Sequence, residues 1–265
     1  MARLFNDSRT TIRLLISLLI FAGLAPAATL LVPTGVDWSR GSSLWIDENG
    51  TPQDAYFAGV VLISLTQDGQ TYNRDTLCVD LFTDIYIGGT YTTNVVTPDN
   101  LPGAVGLNRA SWLLDNALLP TQGPVYSSAL PTSDWVTSAA QGAGLQLAIW
   151  DITTDGGDGF SSGRVQASTA AGQLTDPTVL AWALMYESLS AGKSSDQAFV
   201  YTNADVNSGA PAQRLEGPLF TDGGPTPVIT PLDSPSAPEP ATCALAGLAL
   251  IAIGLCRKKN LLNRR

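Results

Sequence analysis

Residues 56–82 read YFAGVVLISLTQDGQTYNRDTLCVDLF. Tyr56 to Leu65 is rich in β-branched and aromatic types, a second such run extends from Thr71 to Phe82, and Asp68-Gly69 stands between them. Two strand-like runs joined by Asp-Gly predict a β-hairpin, because the tight turn that matches strand twist needs residues that accept positive φ. Period-two alternation in the second run puts Leu77, Val79 and Leu81 on one face and Thr76, Cys78 and Asp80 on the other. On that pattern Cys78 points away from its aliphatic neighbours.

Further along the chain the apolar spacing becomes helical. Asn108 is placed to cap a segment carrying Trp112, Leu113 and Leu114 that stops at Pro120. A second segment, from about Ser133 to Ile152, sets Leu145, Ala148, Ile149 and Ile152 on one stripe. A third opens with Asp176 as N-cap and Pro177 in the first turn, carries Val179, Trp182, Ala183 and Tyr186, and closes at Gly192. Strand signals return in Ala198 to Thr202 and around Leu215 to Phe220. Strands, then helices, then strands predict an α+β domain over residues 28–222, mainly a β-sandwich or barrel with a helical insertion. No internal repeat is present, and a span of this length suffices for one core or two small ones.

The ends carry different information. Arg3, Arg9 and Arg13 precede an apolar run from Leu14 to Leu24 and the small-residue stretch Ala25-Pro26-Ala27-Ala28, the pattern of a secretory signal peptide over residues 1–27. An uncleaved anchor or buried helix is the plainer alternative. Residues 223–237 form a Pro-rich linker, followed by Pro238-Glu239-Pro240, an uncharged stretch 241–256 and the basic tip Arg257, Lys258, Lys259, Arg264 and Arg265. Apolar residues followed by positive ones read as a stop-transfer helix with the tip cytoplasmic. At about 1.5 Å per residue that helix reaches roughly 24 Å, short of a full hydrocarbon core. The tail 238–265 resembles the PEP-CTERM sorting signal. That resemblance implies an exported protein of a Gram-negative bacterium, held transiently in the inner membrane, recognised by an exosortase-type enzyme, cleaved near the motif and released to the cell surface or extracellular matrix. A retained single-span anchor is the other reading.

Charge and composition narrow the chemistry. Residues 28–256 hold six basic against 22 acidic side chains, a net charge of −16, which repels phosphate backbones and disfavours nucleic acid as a partner. The chain has no histidine. Ser-His-Asp and Cys-His hydrolase arrangements and His-ligated zinc are thereby excluded. A secreted hydrolase using paired carboxylates stays open, although no Asp or Glu pair is singled out by spacing. The expectation is a non-enzyme without cofactor or metal. Asp155-Gly156-Gly157-Asp158-Gly159 lacks the spacing of a calcium-binding EF-hand loop and reads better as a Gly-rich turn at a helix end.

Of three cysteines, Cys243 and Cys256 belong to the tail, leaving Cys78 without a partner in the domain. A free Cys often packs as an inert small hydrophobe. Yet Leu77-Cys78-Val79-Asp80-Leu81, taken with Gln146-Leu147-Ala148-Ile149-Trp150, resembles the thioester domains of bacterial surface adhesins over roughly residues 55–220. The resemblance implies an internal Cys78–Gln146 thioester, supported by Asp80 and Trp150, that attaches covalently to amine groups of a surface polymer or protein. The family's Thr before the Gln is Leu145 here. Trp150 is equally an ordinary core Trp, and Asp80 an exposed strand residue. The only lysine between signal and tail is Lys193, which limits reaction between copies. A non-covalent binding or structural module of the same fold is the alternative.

Overall fold

The hairpin forms where the sequence puts it, with Gln67 of the first strand paired to Gln70 of the second. The computed structural model describes residues 28–48, 51–54, 57–67, 69–101, 106–118, 128–167 and 175–218, which belong to one compact unit beginning at Ala28. Residues 1–27, the linker 223–237, the Pro238-Glu239-Pro240 motif and the stretch 241–256 lie outside the described residues. Within those described, no helix is long and apolar enough to cross a membrane.

The strands are β1 (Thr29–Ser42), β2 (Trp45–Glu48), β3 (Thr51–Asp54), β4 (Ala58–Gln67), β5 (Gln70–Cys78), β6 (Tyr91–Val96), β7 (Val165–Gln166), β8 (Phe199–Asp205) and β9 (Pro211–Gly217). Three helices, α1 (Leu107–Ala117), α2 (Ala139–Asp155) and α3 (Pro177–Ser190), lie between β6 and β8 in the chain. The protein is thus mixed α+β and mostly sheet. Six antiparallel strands close in the order β1-β4-β5-β9-β8-β6, and β3-β2-β7 form a second, small sheet. Closure gives each of the six strands a neighbour on both sides, although β1 meets β6 only through Thr29–Leu31.

One seam is short. β4 and β5 pair over seven residues and stop at Val61 opposite Thr76. β5 meets β9 only through Leu77 opposite Glu216 and Cys78 opposite Leu215, extended by Val79 N–H donating to Arg214 O at 3.0 Å. The barrel therefore closes on the Cys78 stretch.

α2 covers that seam. Ser138 caps it, accepting from Gln141 N–H, and every residue from Gln141 to Ile152 is buried. The sequence suggests a single apolar stripe, but this helix runs between β1 and β4 on one side and α3 on the other. A helix enclosed all round needs no polar face. Two glycines permit it. A Cβ at Gly142 would fall 1.9 Å from Arg40 O, and one at Gly144 would fall 2.6 Å from the Trp182 Cβ. Arg40 itself is buried, with Nε 2.6 Å from Asp37 and Nη2 2.8 Å from Asp75 on β5.

Several local expectations are corrected. Asn108 is not a cap: Gly106 occupies the N-cap of α1, and Asn108 sits inside the first turn, donating to Asp99 at 2.7 Å. α1 ends at Ala117, before Pro120, which lies outside the described residues. The second helix starts at Ala139, after a separate 3₁₀ turn at Thr132–Asp134, and runs on to Asp155. The second hairpin strand stops at Cys78, so Val79 to Phe82 are irregular. α3 opens at Asp176-Pro177 as read, with the Asp176 carboxylate accepting from Thr178 N–H at 2.6 Å. Its last residue, Ser190, falls just short of Gly192.

Replacing an interior helical Gly by Ala ordinarily gains about 1 kcal/mol. At Gly142 the sign reverses, because the methyl group meets the Arg40 carbonyl. Gly142→Ala is expected to lower stability by about 1–3 kcal/mol in denaturant titration; a variant as stable as the parent would show that α2 does not press on β1.

Candidate functional site

Along an antiparallel strand, successive residues aim their N–H and C=O groups to opposite sides. Val79 N–H bonds to β9, so Cys78 directs its own pair the other way, where β4 has already stopped pairing. Gln146 fills the gap. Cys78 N–H donates to Gln146 Oε1 at 2.9 Å, and Gln146 Nε2 donates to Cys78 O at 2.6 Å. One side-chain amide from α2 replaces one rung of a β-ladder. Gln146 is fully buried, as is the rung it completes, so neither can exchange these bonds for water.

The thiol takes a different partner. Cys78 Sγ donates to Gln213 Oε1 at 3.1 Å, and Gln213 Nε2 donates to Asp80 O at 2.8 Å. Gln213, on β9, was not legible in the sequence: only the pairing of β5 with β9 brings it to Cys78. Burial, aided by the Asp80 charge, pushes the thiol up to about 12, so at neutral pH it is a neutral S–H. Alternation alone set Cys78 apart from Leu77 and Val79, but all three are buried, because both faces of this strand end are covered.

Asp80 is half-buried and follows the end of β5, so it is not an exposed strand residue. It holds the turn after β5: Oδ1 accepts from Phe82 N–H at 3.1 Å, Oδ2 accepts from Thr83 Oγ1 at 2.7 Å, and Arg214 approaches to 3.6 Å. The same turn presents the Asp80 carbonyl to Gln213. Asp80 therefore acts on Cys78 through Gln213. Trp150 lies one turn beyond Gln146 on α2 and is buried, with its indole N–H lacking an acceptor among the described residues. It packs as a core residue. Lys193 follows α3, with its backbone N–H bonded to Ser190 O.

Comparison with protein-family models, with curated proteins and with solved structures finds no match.

A second buried acid stands at the seam. Glu216, paired with Leu77 across β5 and β9, is fully buried and accepts from Ser111 Oγ of α1. Burial pushes it up to about 8, partly opposed by the Ser111 bond. At neutral pH it carries its proton.

What the pair can do follows from these positions. The Gln146 carbonyl oxygen already receives an N–H bond, which favours negative charge developing there if sulfur adds to the amide carbon. The thiol must first lose a proton, and an amide oxygen such as that of Gln213 is too weak a base to keep it.

Gln146→Ala would strand both backbone groups of Cys78 in the interior. At about 1–3 kcal/mol for each unsatisfied group, unfolding should become easier by several kcal/mol, read from the denaturant midpoint; a shift within error would mean that Cys78 finds other partners. A raised carboxyl favours the folded state in its protonated form. Its stabilisation is complete below the ordinary value of 4.5 and is lost as pH rises through about 8. Stability should fall over that window, and Glu216→Gln should flatten part of the slope in melts recorded at successive pH values.

Proposed function

We propose that this is an exported surface or matrix protein, sorted by an exosortase-type system through residues 238–265, whose Cys78 and Gln146 close an internal thioester for attachment to amines. The observation that carries the chemical part is the reciprocal hydrogen bonding of Gln146 with Cys78 at 2.9 and 2.6 Å inside a buried seam. The order of signal, acidic domain, Pro-rich linker, Pro-Glu-Pro, apolar stretch and basic tip carries the sorting part.

The chemistry balances. Cys78 sulfur adds to the Gln146 carboxamide carbon, the thiol proton passes to the departing nitrogen, ammonia leaves, and an acyl thioester remains. A later amine attacks the same carbon, forms an amide, and returns the thiol. The step needs proximity and an N–H on the oxygen that becomes negative, and the two Cys78–Gln146 hydrogen bonds support this reading. An amine on a surface polymer or protein is the natural partner for such an electrophile, and an acidic surface favours amines in their cationic approach while repelling nucleic acid. Consumed once per molecule, the thioester makes the protein a single-use adhesive and not an enzyme.

The second reading is a structural or non-covalent binding module, favoured by the thiol's hydrogen bond to Gln213 and its shift to about 12. On that reading Gln146 only completes the strand.

Intact mass of the purified protein decides between them. The thioester predicts a mass lower than the processed sequence by one ammonia, a gain of one methylamine on incubation with that amine, and neither change in Cys78→Ala. A wild-type mass equal to the plain sequence, with one thiol titratable only after denaturation, would establish the binding module.

A further inference from the structure

The far end of α2 gathers charge of one sign. Asp151, Asp155 and Asp158 each bring a carboxylate oxygen within 4.8 Å of the others. Asp151 sits on the last buried turn of α2, Asp155 is its final residue, and Asp158 lies in the glycine-rich turn that follows Gly156. Part of each inner carboxylate is spoken for. Gly159 N–H donates to Asp151 Oδ2 at 3.1 Å, and the N–H groups of Arg164 and Val165 both donate to Asp155 Oδ2 at 2.8 Å. These bonds aim the remaining oxygens. A Cβ at Gly163 would lie 2.9 Å from Asp155 Oδ2 and 3.0 Å from Asp158 Oδ1, so the turn folds its backbone directly against the two carboxylates.

A separate observation comes from α3. Glu187 is more than nine-tenths buried and bears on Asp151 and Asp158, and among the described residues its Oε1 has no hydrogen-bond partner. Fully buried Asp151 likewise finds no donor for Oδ1 among the described residues. Acceptor-only oxygens in the interior require a cation or a proton. The nearby guanidinium of Arg109 does not supply the charge by contact, since it donates to Ser190 Oγ at 3.0 Å and to the carbonyls of Gly156 and Glu187 at 2.8 Å. A proton between Glu187 and Asp151 answers for that pair. It leaves Asp155 and Asp158 converging on the same point.

We propose that this cluster is a calcium site, with Asp151, Asp155 and Asp158 as protein ligands and Glu187 closing it from α3. Oxygens on opposite sides of a calcium ion stand about 4.6–5.2 Å apart, twice the usual Ca–O length, which the cluster's spacing accommodates. All donors are hard oxygens, the turn is flexible in composition, and exposed Asp158 gives the ion a way in from solvent. Calcium suits such a site better than magnesium, which demands near-ideal octahedral geometry and keeps its waters. The site joins the end of α2, the turn after it and α3. It is independent of the thioester, which lies toward the middle of the same helix.

The test uses the full chain, stripped with EGTA and melted in rising CaCl2. The midpoint should climb with a dependence that saturates around 10⁻⁴–10⁻³ M, the range of extracellular calcium modules, and MgCl2 at equal ionic strength should do less. Asp158→Asn, at an exposed position, should weaken the response at least about tenfold while the metal-free melt stays cooperative. Tb³⁺ luminescence excited through tryptophan and displaced by CaCl2 gives a second readout on the same variant. No calcium response, or one equal in magnesium and undiminished in Asp158→Asn, would leave a carboxyl pair sharing a proton and overturn the site.

Discussion

The primary amide of Gln146, bonded both ways to the peptide of Cys78, is the contact on which the rest is built. A six-stranded barrel whose β5 leaves β4 at Thr76 exposes one N–H and one C=O in its own wall. Some group must meet them, because a buried unpaired peptide costs about as much as a good fraction of a small domain's net stability. Meeting them from a helix requires the helix to lie close. That closeness in turn requires glycine at 142 and 144, a cap at Ser138 that starts α2 on the correct side of β1, and a helix apolar on every face. Arg40 then sits beneath the contact, its charge balanced by Asp37 and by Asp75 of the adjoining strand.

The same enclosure governs reactivity. A thiol pushed up to about 12 needs roughly 7 kcal/mol to ionise at neutral pH. For an enzyme turning over many times a second that penalty is severe. For an event that happens once after folding it is not: completion within minutes tolerates a barrier of roughly 20 kcal/mol, which leaves well over half for addition to the amide. Burial would likewise shield the proposed thioester from hydrolysis. On the proposed reading, an environment that slows the bond's formation would also preserve it once made, which fits a stored electrophile.

The sequence disclosed those parts of the fold whose causes are local. Asp68-Gly69 sets the hairpin through turn geometry, and Asp176-Pro177 starts α3 through capping; neither needs distant partners. β1 was not legible despite its 14 residues, since Pro33, Gly35 and Gly41 interrupt its pattern at the points where its register with β4 shifts. Asn108 misled because Gly106, in left-handed backbone, takes the cap. Cys78 and Gln146 were visible as a pair only through a motif resemblance, whereas Gln213 had no signal at all: its role exists only after β9 lies beside β5. Asp80 was noticed for its place near Cys78, but its work is done by a turn and a carbonyl.

Buried acids show how one problem receives different answers within a single chain. Among the described residues four carboxyl groups are buried, Asp75, Asp151, Glu187 and Glu216. Asp75 pairs with Arg40, whose guanidinium is itself enclosed. Glu216 keeps its proton and takes a hydroxyl from Ser111, the cheaper choice where no cation is near. Asp151 and Glu187 have neither an arginine contact nor a hydroxyl, and burial together with the Asp151 carboxyl pushes Glu187 up to about 9. A neutral pair would be enough if they stood alone. Beside them Asp155, which accepts two backbone N–H bonds, and Asp158 add two more carboxylates, and this convergence is what the proposed calcium ion would offset. The proposed ion would brace the far end of α2 and leave the Gln146 contact, nearer the middle of that helix, to the barrel seam alone.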